Sequence, residues 1–131
     1  MPEDRGSTRP LMDKLGIRPG AVVSVLGVDD PDFMRLLRER TAEVSTGRAR
    51  RDSDTVFYGA ESRAALLRVR ELKGYMKRDG ALWIVRPRGS GEIGERDTMA
   101  AGLESGLVDV KVVRFSQTHS AMKFVFRLSD R

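Results

Sequence analysis

The sequence predicts an α/β fold with three layers and a mostly parallel sheet of about six strands. Between residues 21 and 115, apolar strand-like runs alternate with amphipathic helical segments, and the last two strand-like runs are separated only by the turn SQTHS. Alternating strands and helices are typical of parallel sheets, whereas a short turn joins antiparallel neighbours. The final strand is therefore expected to run antiparallel, in a C-terminal hairpin.

Composition favours one domain without disulfides or a zinc centre. The chain has 131 residues, 40% of them hydrophobic, with no cysteine and one histidine. Residues 1–10 are polar and contain two prolines, so we expect a flexible tail there and a single domain over residues 11–131. No apolar run approaches the ~20 residues of a membrane span, and the N-terminus lacks the apolar stretch of a signal peptide. These features predict a cytoplasmic protein without membrane contact.

The first strand and the first long helix have clear sequence signals. Residues 21–26 form a nearly continuous apolar run with three valines, which is typical of a strand covered on both faces. Asp30 is a good N-cap residue, and Pro31 suits the first helical position. The helix is expected to run to about Arg40 and to bury Phe33.

The remaining elements follow from periodicity and turn residues. A helix is predicted from Ser62 to Arg78, with an apolar stripe that includes Val69 and Leu72. The last helix is expected to turn Leu103 inward and to stop at a glycine. The other strands are predicted at residues 41–44, 54–59, 81–86, 107–115 and 121–128.

Several segments resemble known families. The segments DKLGIRPG, GALWIVRPR, AAGLESGLVDVKV and HSAMKFVFR resemble small bacterial proteins of the domain-of-unknown-function family numbered 3052. LGIRPGAVVSVLG and MKRDGALWIVRPRG resemble segments of class I methyltransferase domains. The resemblance implies a Rossmann-like, methyltransferase-like domain shortened by one strand–helix unit. It implies no particular chemistry, because the small family has no established activity.

The loop after the first strand departs from the methyltransferase pattern. Enzymes of that class usually place a glycine-rich loop there, and an acid at the end of the second strand to hold the ribose of S-adenosylmethionine. Here Gly27 is followed by a valine and two aspartates, which are expected to crowd the space, and Ser45 and Thr46 end the second strand. We therefore expect no cofactor and no catalytic residue. Asp29 is assigned either to the N-terminal end of the next helix or to a ligand.

The carboxyl edge of the sheet is the place where open α/β sheets bind ligands. The loops expected there carry arginines, whose planar guanidinium groups suit phosphate and carboxylate, and the small residues of PRGSG, whose N–H groups suit an anion. The alternative is that these arginines are simply solvated. The candidate ligand-binding residues are Gly27, Asp29, Arg48, Arg50, Arg51, Arg86, Arg88, Ser90 and His119.

The leading interpretation is a non-catalytic binding or interaction domain with an anion- or nucleotide-binding edge. Methyl transfer is the enzymatic alternative, and nucleic-acid binding is a third, because the net charge is +5 and the loop GRARR is basic. Aromatic residues make up only 6% of the chain, which disfavours base stacking. His119 has no acid–histidine–nucleophile order around it. An exposed last strand would support a homodimer if it lies at a sheet edge, whereas the methyltransferase arrangement would place it between neighbouring strands.

Overall fold

A computed structural model of the chain describes residues 3–4, 9–89 and 91–131. Within these residues the chain forms one seven-stranded sheet. The strands are β1 (Glu3–Asp4), β2 (Val23–Leu26), β3 (Val44–Thr46), β4 (Ser53–Gly59), β5 (Met76–Pro87), β6 (Leu107–Arg114) and β7 (His119–Phe126). Their order across the sheet is β1-β6-β7-β5-β4-β2-β3. The helices are α1 (Leu11–Lys14), α2 (Pro31–Arg40), α3 (Arg63–Leu66), α4 (Val69–Leu72) and α5 (Glu95–Glu104), with 3₁₀ turns at Lys73–Tyr75 and Leu128–Asp130.

Strand directions confirm the predicted sheet. β3, β2, β4 and β5 pair in parallel, whereas β7 runs antiparallel to both of its neighbours, β5 and β6. The α/β class, the mostly parallel sheet and the C-terminal antiparallel hairpin are therefore present. Because β7 lies inside the sheet, both of its edges are paired, and the argument for a homodimer through this strand no longer applies.

The short strand β1 extends the sheet at the β6 edge. Glu3 and Asp4 pair in parallel with Val112 and Val113. Residues 1–2 and 5–8 of the predicted tail lie outside the described residues.

Two apolar layers cover the sheet, as a three-layer fold requires. On one face, α1 and α2 pack over a cluster that includes Phe33, Phe57 and Trp83, and the rings of Phe33 and Phe57 meet edge to face at 4.9 Å. The opposite face carries the cluster that includes Val69 and Phe124. All four residues of β2 are buried, because this central strand is covered on both sides.

The prediction of one long helix from Ser62 to Arg78 is wrong. The segment forms two single-turn helices, and the Leu67 and Arg68 N–H groups bond three residues back, to Ala64 and Ala65 carbonyls. These tight bonds turn the chain and leave Leu67 exposed. From Met76 onward the chain belongs to β5 instead.

Helix α5 also presents a different face from the one predicted. Leu103 is 43% exposed, whereas Thr98 and Gly102 are the buried positions of this helix. A Cβ atom on Gly102 would lie 2.0 Å from the Phe124 ring. The glycine therefore lets the helix approach the sheet closely, and the large side chain of Leu103 is turned outward.

Candidate functional site

The chain reverses direction across the sheet between β2 and β4. Helix α2 leads from β2 to β3 on one side, whereas the helices after β4 lead to β5 on the other side. The carboxyl ends of these two adjacent parallel strands therefore form a topological switch point, where open α/β sheets bind ligands. A cleft of about 260 Å³ lies there, and we call it the carboxyl-edge cleft.

The walls of the carboxyl-edge cleft come from the ends of β2 and β4, from β5 and from the β6–β7 hairpin. The lining residues are Gly27, Val28, Asp29 and Asp30 after β2, Gly59, Ala60 and Glu61 at the end of β4, Val85 of β5, and Phe115 and His119 at the hairpin turn. Three of the residues predicted from sequence, Gly27, Asp29 and His119, are thus brought together here.

Two glycines allow the ends of β2 and β4 to approach each other closely at the base of the cleft. Gly27 has φ = +72°, and a Cβ atom on Gly59 would lie only 2.1 Å from the Gly27 carbonyl oxygen. Backbone therefore meets backbone at this point, which only glycine permits. The second glycine that the β2 loop lacks in sequence comes from the neighbouring strand.

The crowding predicted beside Gly27 is not found. The Asp29 side chain is exposed at the cleft rim, and the Asp30 carboxylate is used locally, because it accepts a hydrogen bond of 3.0 Å from the Phe33 N–H. This bond confirms Asp30 as the N-cap of α2. The cleft consequently stays open between the ends of β2 and β4.

Glu61 is a candidate site residue that sequence reasoning missed. It is exposed, lines the cleft and follows β4, so its carboxylate and that of Asp29 come from the two strands of the switch point. The available signal was its position directly after the strand-ending Gly59. Recognising that signal needs the strand order, which sets β4 beside β2.

His119 stands at the hairpin side of the cleft and is half-buried. His119 pairs with Pro87 at the end of β5. The His119 backbone N–H donates to Ser116 Oγ at 3.1 Å. The His119 Nδ1 atom lies 2.7 Å from Thr118 Oγ1. One ring nitrogen is therefore held by a neighbouring hydroxyl, which fixes the orientation of the imidazole.

The predicted arginine cluster does not form. Arg50 pairs with Glu43 at 2.8 Å, and its backbone N–H bonds Ser24 Oγ at mid-strand. The Arg51 guanidinium lies 5.4 Å from the Tyr75 ring centroid. Tyr75 directly precedes β5, so Arg51 lies at the amino edge of the sheet. The loop after β3 thus folds back along β2 and carries these arginines away from the carboxyl edge.

The other predicted arginines also stay outside the cleft. Arg48 is exposed in the loop after β3. Arg86 donates to the Pro87 carbonyl at 3.2 Å, and Arg88 donates to the Gln117 carbonyl. Ser90 lies outside the described residues. No arginine among the described residues lines the carboxyl-edge cleft, whose charged walls are acidic.

The described part of the chain holds neither a metal-binding cluster nor a membrane-spanning helix. No group of three or more histidine, aspartate or glutamate residues there has the arrangement to hold a metal ion. None of the helices described has the length and apolar character to cross a membrane.

Comparison with known proteins shows the fold. No family model and no curated protein matches the chain, so the resemblance to the family numbered 3052 stays a prediction. Solved structures do match. A putative methyltransferase from Thermoplasma acidophilum aligns with a TM-score of 0.67 at 11% identity, covering 95% of this chain and 77% of that one. A SAM-dependent methyltransferase from Aquifex aeolicus gives 0.67 at 12% identity, covering 87% and 86%.

A third neighbour is the magnesium protoporphyrin IX methyltransferase from Synechocystis, solved with bound SAM, with a TM-score of 0.66 at 13% identity over 89% of this chain and 74% of that one. At such identities the likeness establishes a Rossmann-like, methyltransferase-like fold. The leading interpretation of a non-catalytic binding domain is contradicted by these neighbours, which are described as methyltransferases.

Proposed function

We propose that this domain binds S-adenosylmethionine in the carboxyl-edge cleft and transfers its methyl group to a small acceptor. The observation that carries the proposal is an open cleft at the switch point between β2 and β4, above the Gly27–Gly59 contact. Solved structures with the same fold are described as methyltransferases, which supports the same chemistry.

The residues of the cleft fit the cofactor. The Asp29 and Glu61 carboxylates are suited to accept hydrogen bonds from ribose hydroxyls or an ammonium group, and Val85 and Phe115 supply apolar surface. The volume of about 260 Å³ is close to the lower end, about 300 Å³, of typical small-molecule pockets. When bound, the cofactor supplies an electrophilic methyl group on a sulfonium.

The source of the carboxylates differs from the usual methyltransferase pattern. β3 ends at Thr46, and Glu43, which precedes that strand, is paired with Arg50 at 2.8 Å. Carboxylates after β2 and β4 therefore take the role that class I methyltransferases give to an acid after the second strand. Because these carboxylates follow other strands, the sequence pattern argued against a cofactor.

His119 is the side chain placed to accept a proton from the methyl acceptor. An imidazole nitrogen that carries no proton can take one from a bound acceptor, which is the role of a general base. This role requires Nδ1–H to donate to Thr118 Oγ1, so that the other ring nitrogen keeps the lone pair that accepts the proton. Phe115, next to it in the cleft lining, provides a surface for an apolar or aromatic part of the same molecule.

Calorimetric titration with S-adenosylhomocysteine tests the proposal. Binding is expected for the native chain, and Glu61→Gln is expected to weaken it by roughly 10–150-fold, since a hydrogen bond to a charged group contributes about 1.5–3 kcal/mol. Glu104→Gln is the matched control, because Glu104 is an exposed carboxylate at the end of α5, outside the cleft. Absence of binding heat, or equal weakening by both variants, would contradict the proposal.

A further inference from the structure

A second cleft, of about 350 Å³, opens at the opposite edge of the sheet, and we call it the amino-edge cleft. It lies between the loop that precedes β2 and the first residues of β4, with the later part of β7 beside them. Its polar and charged walls include Arg18, Asp54, Asp79 and Lys123, and Gly16 lies beneath the lysine. It shares no lining residue with the carboxyl-edge cleft.

Lys123 is the unusual group of the amino-edge cleft. The side chain is half-buried on β7, and its Nζ lies 5.9 Å from the ring centroid of Trp83, a fully buried residue. Lys73 donates to the Ser105 carbonyl at 2.6 Å, and Lys77 pairs with Asp54 at 2.9 Å. Within the described residues, Lys123 has neither a hydrogen-bond acceptor nor a carboxylate partner.

The charges around Lys123 do not compensate it. Lys111 stands opposite on β6, in direct register. Arg18 adds another positive charge to the cleft, and the Asp54 carboxylate is already occupied by the Val22 N–H and by Lys77. Asp79 is the remaining acid of the cleft wall. The ammonium form of this lysine is therefore partly desolvated and faces another cation, with only the face of the Trp83 ring to attract it.

The pKa values of Lys123 and Lys77 are shifted in opposite directions. Burial, followed by the charge of Lys111, lowers the pKa of Lys123 below the ordinary lysine value. The hydrogen bond to Asp54 raises the pKa of Lys77. At any pH near neutrality, Lys123 therefore has the larger fraction of neutral amine, and the neutral amine is the nucleophilic form.

We propose that the amino-edge cleft is a second site, at which Lys123 captures small carbonyl compounds as an imine. Desolvation and a neighbouring cation are the two features that activate lysines for this chemistry. The neutral Nζ attacks the carbonyl carbon and a C–N bond forms. Nζ then gives up its two protons to the carbonyl oxygen, which leaves as water while the C=N bond forms. Hydrolysis reverses the step, so no oxidant or reductant is consumed.

Reductive trapping of the imine with cyanoborohydride identifies the reacting lysine. The native chain is incubated with acetaldehyde near neutral pH, the imine is reduced to a stable secondary amine with cyanoborohydride, and the modified lysines are mapped by peptide mass spectrometry. Lys123 is expected to carry more adduct than the other four lysines of the chain combined. Adducts that follow surface exposure, with Lys77 modified as much as Lys123, would overturn the proposal.

Two variants test whether the adduct forms on the Lys123 amine. Lys123→Arg keeps the positive charge but removes the nucleophilic amine, so most of the lysine-bound adduct is expected to be lost. Lys77→Arg is the control and is expected to leave the adduct on Lys123 unchanged. If Lys123→Arg does not fold, the peptide map of the native chain still decides the question. Neither variant changes the carboxyl-edge cleft, so this test is independent of methyl transfer.

Discussion

Replacing Gly59 by alanine adds one methyl group at the tightest backbone contact of the candidate site. The new Cβ would lie 2.1 Å from the Gly27 carbonyl oxygen, whereas a carbon and a carbonyl oxygen normally stay ~3.3 Å apart or more. The ends of β2 and β4 would have to separate by about 1 Å. Paired residues from Val23 with Thr55 to Leu26 with Tyr58 resist that separation.

Gly59→Ala is therefore expected near the upper end of the 1–3 kcal/mol range for overpacking, which lowers Tm by roughly 10 °C. Denaturant unfolding followed by fluorescence of the single, buried Trp83 measures the change. Gly74→Ala is the control, since no atom lies within 4 Å of the place its new methyl group would occupy, and a small gain or no change is expected. Native stability of Gly59→Ala would refute the role given to the glycine pair.

Two further changes test the interior and the amino edge. Ser24→Ala removes the hydroxyl that accepts the Arg50 N–H at 2.9 Å, so a loss of about 1–3 kcal/mol is expected in the same unfolding measurement, and an unchanged midpoint would contradict it. For Asp54, burial alone would raise the pKa, but bonds from the Val22 N–H and from Lys77 lower it below its ordinary value of 3.8. Its contribution to stability is therefore complete above that ordinary pKa and is lost as pH falls through the folded-state pKa. Asp54→Asn is expected to be less stable at neutral pH and to show a flatter loss below pH 3.8; an acid profile identical to that of the native chain would contradict this.

The sequence predicted the fold where local signals and tertiary structure agree. The apolar run at residues 21–26 and the Asp30 cap each correspond to an observed element, β2 and α2. The long helix failed because a helical stripe through Val69 and Leu72 is equally compatible with two short helices around a turn. Met76 then pairs with Ser53, a long-range contact that periodicity does not encode.

The candidate site was only half predictable, because it depends on which strand ends are neighbours. Gly27, Asp29 and His119 were found from their positions at expected strand ends. Gly59 and Glu61 acquire their roles only when β4 lies beside β2. The arginine-rich loop after β3 was predicted at the wrong edge of the sheet, since its return path is fixed by the Ser24 hydroxyl rather than by its own composition.

The central claim is that the carboxyl-edge cleft holds the methyl donor. Titration of ¹⁵N-labelled protein with S-adenosylhomocysteine, followed by amide chemical shifts, tests it most directly. The account predicts that the largest shifts fall on Gly27, Asp29, Glu61 and His119, with Gly16 at the opposite edge unchanged. Absence of shifts at saturating ligand, or shifts centred on the amino-edge cleft, would contradict it.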